Sequence, residues 1–199
     1  MKLILIAGMP ATGKSALANR LQAAFGFPVF EKDAIKEQLF DTIGFRCYEE
    51  KRQLDVASTA VLLKLMQDLY KADTSAIVVN NFASDAASRL DQFLRQDGVE
   101  AVTLFLNGDP QILYERYYER DKKGLRHMGH AYQIAYPTDP ANPEVFDMTR
   151  EGFDWRFLKL GMDRINWSGE VIELDATYPW KIDADAVIAA VAMALRVAL

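Results

Sequence analysis

The chain has 199 residues and a formal net charge of −5, with half of its residues hydrophobic and about a quarter charged. That length suits one domain with a full core, and the acidic balance argues against a long nucleic-acid surface, whose affinity comes from Lys and Arg neutralising phosphates. Cys47 is the only cysteine, which excludes an internal disulfide and leads us to expect a reducing, cytoplasmic setting. The apolar start, Met1–Ile6, is too short for a signal peptide and lacks a cleavage-site pattern, and no run approaches a membrane span.

Leu3–Ala7 is a short apolar run that reads as a buried strand. Gly8-Met9-Pro10-Ala11-Thr12-Gly13-Lys14-Ser15 follows and matches G-x-x-x-x-G-K-S, the phosphate-binding P-loop. The glycines let the backbone curl so that successive N–H groups point at phosphate oxygens. A helix opening at Ala16 adds unpaired donors and partial positive charge. Together, Gly8, Pro10, Ala11, Thr12, Gly13, Lys14, Ser15 and Ala16 are expected to hold a nucleoside triphosphate. Lys14 would reach the β- and γ-phosphates and the Ser15 hydroxyl would ligate Mg²⁺.

Phe25-Gly26-Phe27-Pro28 is a break, and Val29–Glu31 reads as a second strand ending in Lys32-Asp33. Asp33 is placed to cap a helix over Ala34–Phe40. Residues 41–49 read as an irregular connection. A long helix from about Glu50 to Ala72 presents Leu54, Ala57, Val61, Leu65 and Leu69 to the core. Ala76–Asn80 reads as a third strand. Ser84 is a candidate N-cap for a helix reaching Gln96, and Ala101–Leu106 reads as a fourth strand. Asp109 and Pro110 fit the N-cap and first position of a helix over Gln111–Asp121.

That helix carries Arg116 and Arg120 one turn apart and runs into Lys122, Lys123, Arg126, His127 and His130, the strongest concentration of basic residues in the chain. The two histidines lack the ligand spacing of a structural metal site. Ala131–Glu144 holds three prolines and little periodicity and reads as a mobile or extended segment. A helix resumes near Val145 and reaches toward Arg164. Glu170–Asp175 reads as a fifth strand and about Ala184–Val197 as a closing amphipathic helix. Alternating strands and helices predict a parallel sheet covered on both faces.

A P-loop implies a nucleoside triphosphate, and phosphoryl transfer needs an oriented nucleophile and positive charge over the transferring group. Asp33, at the carboxyl end of a strand, is the candidate to orient or deprotonate an acceptor hydroxyl, or to bind Mg²⁺. Arg120 and Arg126 are the candidates for the γ-phosphate, with Arg116 nearer the base. Asn80 and Asn81 stand where many P-loop proteins carry a Mg²⁺-neutralising acid. No N-K-x-D guanine signature occurs, which favours ATP.

The segments GMPATGKS, EKDAIKEQLFDTIG, VVNNF, LNGDPQILYERYYERDKKGLRHMGH and ELDAT resemble the small P-loop kinases. This group contains zeta toxins, chloramphenicol phosphotransferase, gluconate kinase and the kinase domain of polynucleotide kinase. The resemblance implies a three-layer α/β sandwich with a five-stranded parallel sheet of order 2-3-1-4-5 and a lid after the fourth strand. It implies that Asp33 is the base, that arginines among Arg116, Arg120 and Arg126 bind the triphosphate, and that Asp175–Thr177 borders the adenine.

The expectation is one domain over 1–199, with an acceptor-binding region at 34–72 and a lid at 121–150. Its function would be ATP- and Mg²⁺-dependent transfer of phosphate to a hydroxyl of a small molecule. Phe40, Phe45, Arg46 and Tyr48 are candidate acceptor liners. The alternatives are a polynucleotide or nucleotide-sugar kinase and a nucleotide-binding regulatory ATPase without a small-molecule acceptor.

Overall fold

The computed structural model describes residues 1–131, 135–138 and 148–198. Five parallel strands form one sheet: β1 (Lys2–Gly8), β2 (Val29–Glu31), β3 (Ala76–Val79), β4 (Glu100–Asn107) and β5 (Glu170–Asp175). Their order is β2-β3-β1-β4-β5, as expected. The central strand β1 pairs with β3 from Leu3 opposite Ala76 and with β4 from Lys2 opposite Glu100. Being central, it is apolar and buried from Leu3 to Ala7, and alternate side chains enter opposite cores. Leu3, Leu5 and Ala7 face one cluster, while Ile4 and Ile6 face the other.

The first cluster is covered by α3 (Tyr48–Lys71) and α4 (Ser84–Leu94), through Leu62, Met66, Leu90 and Phe93. The second is covered by α1 (Lys14–Phe25) and α8 (Ala184–Leu195), through Leu17, Leu21, Val187 and Val191. The remaining helices, α2 (Lys32–Ile43), α5 (Pro110–Lys122), α6 (Met128–Ala131) and α7 (Arg150–Lys159), rise above the carboxyl ends of the strands. They pack around two smaller apolar clusters. One joins α5 to α7 through Leu113, Tyr117, Phe153 and Phe157. The other gathers Phe40, Phe45 and Leu54, with Met128 and Tyr136 against them.

Local signals fix several boundaries. The Gly26 N–H bonds to Gln22 O at 2.9 Å in the left-handed conformation and ends α1. The Asp109 carboxylate accepts from the N–H groups of Gln111 and Ile112 with Pro110 at the first turn, as expected. Other expectations need correction. The helix after β2 begins at Lys32, not Ala34, so Asp33 lies within its first turn and Glu31 is the N-cap residue. Glu31 makes no capping bond because its carboxylate is taken by Ser15. This helix continues to Ile43, which shortens the irregular connection. Ala83, rather than Ser84, is the N-cap residue of α4.

The core stripe of α3 is Lys51, Leu54, Ser58, Leu62, Leu63 and Met66, rotated from the expected face; Val61 is exposed. The helix over the last part of the expected 145–164 span is confined to Arg150–Lys159, and α6 was not expected. Most of the expected extended segment 131–144, and the expected helix start near Val145, lie outside the described residues.

Above the sheet, the segment after α5 is fastened to α2. His127 Nε2 lies 3.0 Å from Asp41 Oδ1, and His130 Nε2 lies 3.0 Å from Glu37 Oε1. Glu37 and Asp41 are one turn apart on α2, matching the spacing of the two histidines. The Gly129 N–H donates to His127 Nδ1 at 3.1 Å, so His127 carries its proton on Nε2 and donates it to Asp41. Tyr136 donates its hydroxyl to Asp41 at 2.9 Å, and exchanges two backbone hydrogen bonds with Phe45, each of 2.8 Å.

Gly129 sits against the Phe40 ring so closely that a Cβ there would lie 2.4 Å from Cδ2. Phe40 is fully buried and cannot yield. Gly129→Ala is therefore expected to cost about 1–3 kcal/mol by overpacking, read by chemical denaturation.

Candidate active site

A cleft of about 1380 Å³ opens at the carboxyl ends of β1, β2 and β3. Its floor is the loop from Pro10 to Ala16. Gly8 makes this floor possible: its φ is +116°, and a Cβ there would lie 1.9 Å from Leu106 O on β4. Ala11 and Gly13 also take positive φ. Thr12 is buried and its hydroxyl donates to Met9 O at 2.8 Å, pinning the loop from beneath.

Among the described residues, no backbone hydrogen bond engages the N–H groups of Ala11 to Ala16; the first to be paired is Leu17, bonded to Gly13 O. Six successive free donors curled at a helix N-terminus fit a phosphate chain. Lys14 lies across the loop and donates to Met9 O at 2.7 Å and Gly8 O at 3.2 Å.

The Lys14 ammonium is pushed down to about 7. Burial is the main cause, Arg120 and Arg126 add to it, and Asp33 and Glu31 oppose it. An arriving polyphosphate would restore its charge. Nucleotide affinity is therefore expected to fall as pH rises through 7 to 9, by at most tenfold per unit, with a proton taken up on binding above pH 7. Calorimetric titration in buffers of different ionisation enthalpy reads that proton, and Lys14→Met removes it.

The same interactions bring the other expected residues together. Asp33 stands at the mouth of β2, half-exposed to the cleft, with Lys36 Nζ at 3.8 Å. Burial alone would raise its pKa, but Lys36, Lys32 and Arg126 hold it far below the usual carboxylate range. It is therefore ionised at any physiological pH.

Arg126 donates to the Tyr117 hydroxyl at 2.9 Å and lies 3.5 Å from Asp121. Arg120 and Arg126 both lie over the Tyr117 ring, 5.7 and 5.1 Å from its centroid. Among the described residues the Arg120 Nε is buried without a hydrogen-bond partner, with Asp121 Oδ1 4.0 Å away. A buried cationic donor held only at that distance fits an anion supplied from the cleft.

Arg116 and Thr177 do not line this cleft. Arg116 donates to Ala176 O at 3.0 Å, and the Thr177 hydroxyl accepts from the Asp109 N–H at 2.9 Å. They share the loop after β5, which reaches the outer rim of the P-loop where Pro179 stands 3.2 Å from the Cβ position of Gly13.

Several members of the site were not expected. Ser15 donates its hydroxyl to Glu31 at 2.7 Å, putting a carboxylate beside the P-loop serine. Asp55 on α3 accepts from both Lys32 and Lys36, the latter at 2.8 Å. Lys51 is only 6% exposed, donates to His130 O at 3.0 Å, and lines the cleft. Asn80 and Asn81 line it at the end of β3.

His127 and His130 bond carboxylates of α2. Burial, Arg126 and Lys36 press the pKa of His130 far down, so it adds no positive charge. Of the expected acceptor liners, Tyr48 reaches the cleft. Phe40 and Phe45 are core, and Arg46 is exposed outside the cleft.

A P-loop at the carboxyl ends of a sheet of order 2-3-1-4-5, with a cleft between it and an overlying helical layer, defines the P-loop kinase fold. The chain belongs to the AAA domain family, whose model matches residues 3–132. No curated protein matches it. Among solved structures, a protein of Chloroflexus aurantiacus J-10-fl provisionally assigned as a kinase is 25% identical, with a TM-score of 0.77 over 98% of both chains. A sugar kinase of Janibacter sp. HTCC2649 is 14% identical, with a TM-score of 0.58 over 100% of this chain and 96% of the other. A gluconokinase of Sinorhizobium meliloti 1021 is 15% identical, with a TM-score of 0.52 over 98% and 91%. Among the described residues, no helix is long and apolar enough to cross a membrane.

Proposed function

We propose that this protein transfers the γ-phosphate of ATP to a hydroxyl of a small molecule, with Mg²⁺ as cofactor, in the cytoplasm. The carrying observation is that Lys14, Asp33, Arg120 and Arg126 line one cleft whose floor is the P-loop. In this reading the whole chain is one kinase domain, residues 34–72 receive the acceptor and residues 121–150 are the lid. The loop from Gly8 to Ala16 holds the β- and γ-phosphates. Arg116 and Thr177 border the adenine, beside the rim of the P-loop.

Ser15 and Asp33 would hold the Mg²⁺, with Glu31 orienting the serine. Bound there, the ion would neutralise phosphate charge. The reaction forms a bond between the acceptor oxygen and Pγ and breaks the bond from Pγ to the β–γ bridging oxygen. The acceptor proton passes to Asp33 and on to water. An ionised Asp33 aligns the hydroxyl from the start and takes the proton late, when the developing P–O bond has made it acidic. Arg120 and Arg126 stabilise the charge on the passing phosphoryl group.

The test is γ-labelled ATP with a panel of sugars, hydroxy acids, nucleosides, aminoglycosides and 5′-hydroxyl oligonucleotides, run with the parent and Lys14→Ala. A labelled acceptor that disappears in the variant is the expected result. Tight ATP binding with slow hydrolysis that no acceptor changes would support a regulatory ATPase instead.

A further inference from the structure

Beyond the phosphate-binding floor, the cleft is far more basic than its chemistry requires. Among the described residues it is lined by ten lysines and arginines against four carboxylates, a surplus of six, in a chain whose formal charge is −5. Lys14, Arg120 and Arg126 serve the triphosphate on the reading above. Lys32 and Lys36 are tied to Asp55.

Five cations remain: Lys51 and Arg52 on α3, Arg89 on α4, and Arg156 and Lys159 on α7. Among the described residues, Arg52, Arg89, Arg156 and Lys159 form no ion pair; Arg156 and Lys159 lie instead over aromatic rings, Phe157 at 5.8 Å and Trp155 at 4.6 Å. The helices α3 and α7 carry these cations on the two walls of the acceptor side. Among the described residues, the one carboxylate those walls present to the cleft is Asp55, already shared by two lysines.

We propose that the phosphate acceptor itself carries an anionic group, a carboxylate or a phosphate, held between α3 and α7 by Arg52 and Arg156 over the buried Lys51.

This rests on the kinase reading for the word acceptor, and on the charge of the cleft for the anion. A neutral acceptor would leave the cationic surplus of the cleft, with Arg52, Arg89, Arg156 and Lys159 in no ion pair among the described residues, without a counter-charge. An anion removes the repulsion, and the guanidinium forks of two arginines match its planar or tetrahedral oxygens. The titration of Lys51 agrees: burial first, then Lys36, Arg156 and Arg126, push it down to about 7. An anion beside it would return its proton.

The test separates anion recognition from phosphate transfer. The full chain is saturated with Mg²⁺ and a non-hydrolysable ATP analogue, so that the P-loop is filled. It is then titrated with hydroxy-carboxylates and hydroxyalkyl phosphates of three to seven carbons, each paired with its uncharged homologue. Binding is read by calorimetry and by the fluorescence of Trp155, which lines the same wall. At least one anionic member should bind tenfold or more tightly than its neutral homologue, and R52Q and R156Q should each remove most of that preference.

Carboxylates binding in preference to phosphates, or the reverse, would identify which anion the acceptor carries. Equal binding of charged and neutral members, absence of any anion binding in the nucleotide-filled enzyme, or unchanged preference in both variants would overturn the proposal. Arg52 is exposed, so R52Q keeps the test independent of folding. Failure of the ATP analogue to bind, measured before any anion is added, or absence of γ-phosphate transfer would instead count against the kinase reading.

Discussion

The Asp33→Asn protein binds ATP within a few-fold of the parent and transfers phosphate about 10²–10⁴-fold more slowly: this is the expected result of removing the proposed base. The substitution keeps the shape of the side chain and its capacity to accept a hydrogen bond. What it removes is the ability to hold a proton and the negative charge that Lys32 and Lys36 surround. Nucleotide binding is expected to change only within that range, because the cleft loses a carboxylate that repels phosphate and, on the reading above, one of the two side chains that hold Mg²⁺, while Ser15 and the P-loop donors remain. Stability is expected to change little, since Asp33 is half-exposed to the cleft and provides no helix cap. Single-turnover transfer, compared with calorimetric ATP binding, separates the two effects. Full transfer activity in this variant would remove Asp33 from the chemistry.

Arg126→Ala should have a still larger effect, a loss of about 10³-fold or more in kcat, the size seen when a charge-stabilising arginine is removed from phosphoryl transfer. Arg126 is suited to this because it is fixed before substrate arrives. Tyr117 accepts one of its hydrogen bonds at 2.9 Å and packs its ring beneath it, and Asp121 holds it from the side. A preplaced charge costs little reorganisation when the phosphoryl group passes. Arg126→Lys is expected to recover only part of the rate, because a single ammonium cannot reproduce the planar fork. The loss should fall on kcat, with a smaller change in KM for ATP, measured by steady-state and single-turnover kinetics.

The P-loop half of the cleft was legible in the sequence, and the half formed by α3 and α7 was not. The P-loop is legible because its spacing follows from backbone geometry: Gly8 has no room for a Cβ against Leu106, whatever the rest of the chain does. The strands are legible because a parallel sheet needs continuous apolar runs. Asp33 is legible from its place at a strand end. Glu31 was not, because a terminal strand residue with a carboxylate reads as facing solvent.

The α3 wall of the cleft was less legible. Periodicity assigns polar residues to water, and the expected core face of α3 held only Leu54, Ala57, Val61, Leu65 and Leu69. Lys51 and Asp55 line the cleft that this end of the helix borders, and Ser58 is buried. A stripe of Leu54, Leu62 and Met66 completed by Ser58 and Lys51 was the available signal. The two histidines illustrate the same limit, since basic neighbours in sequence became a neutral fastening in space.

That fastening has a consequence for the tempo of turnover. Two backbone bonds between Phe45 and Tyr136, two histidine–carboxylate contacts and the ring cluster around Phe40 hold the segment after α5 to α2 and the loop behind it. On the kinase reading, ADP and the phosphorylated product would leave past this fastened segment. Escape would then require these contacts to break, while the chemical step does not. Product egress, not bond making, would set the steady rate, as in many enzymes with closing covers. Rapid mixing with ATP and acceptor is expected to show a first turnover faster than those that follow, and Tyr136→Ala to shrink that difference by letting the product leave sooner.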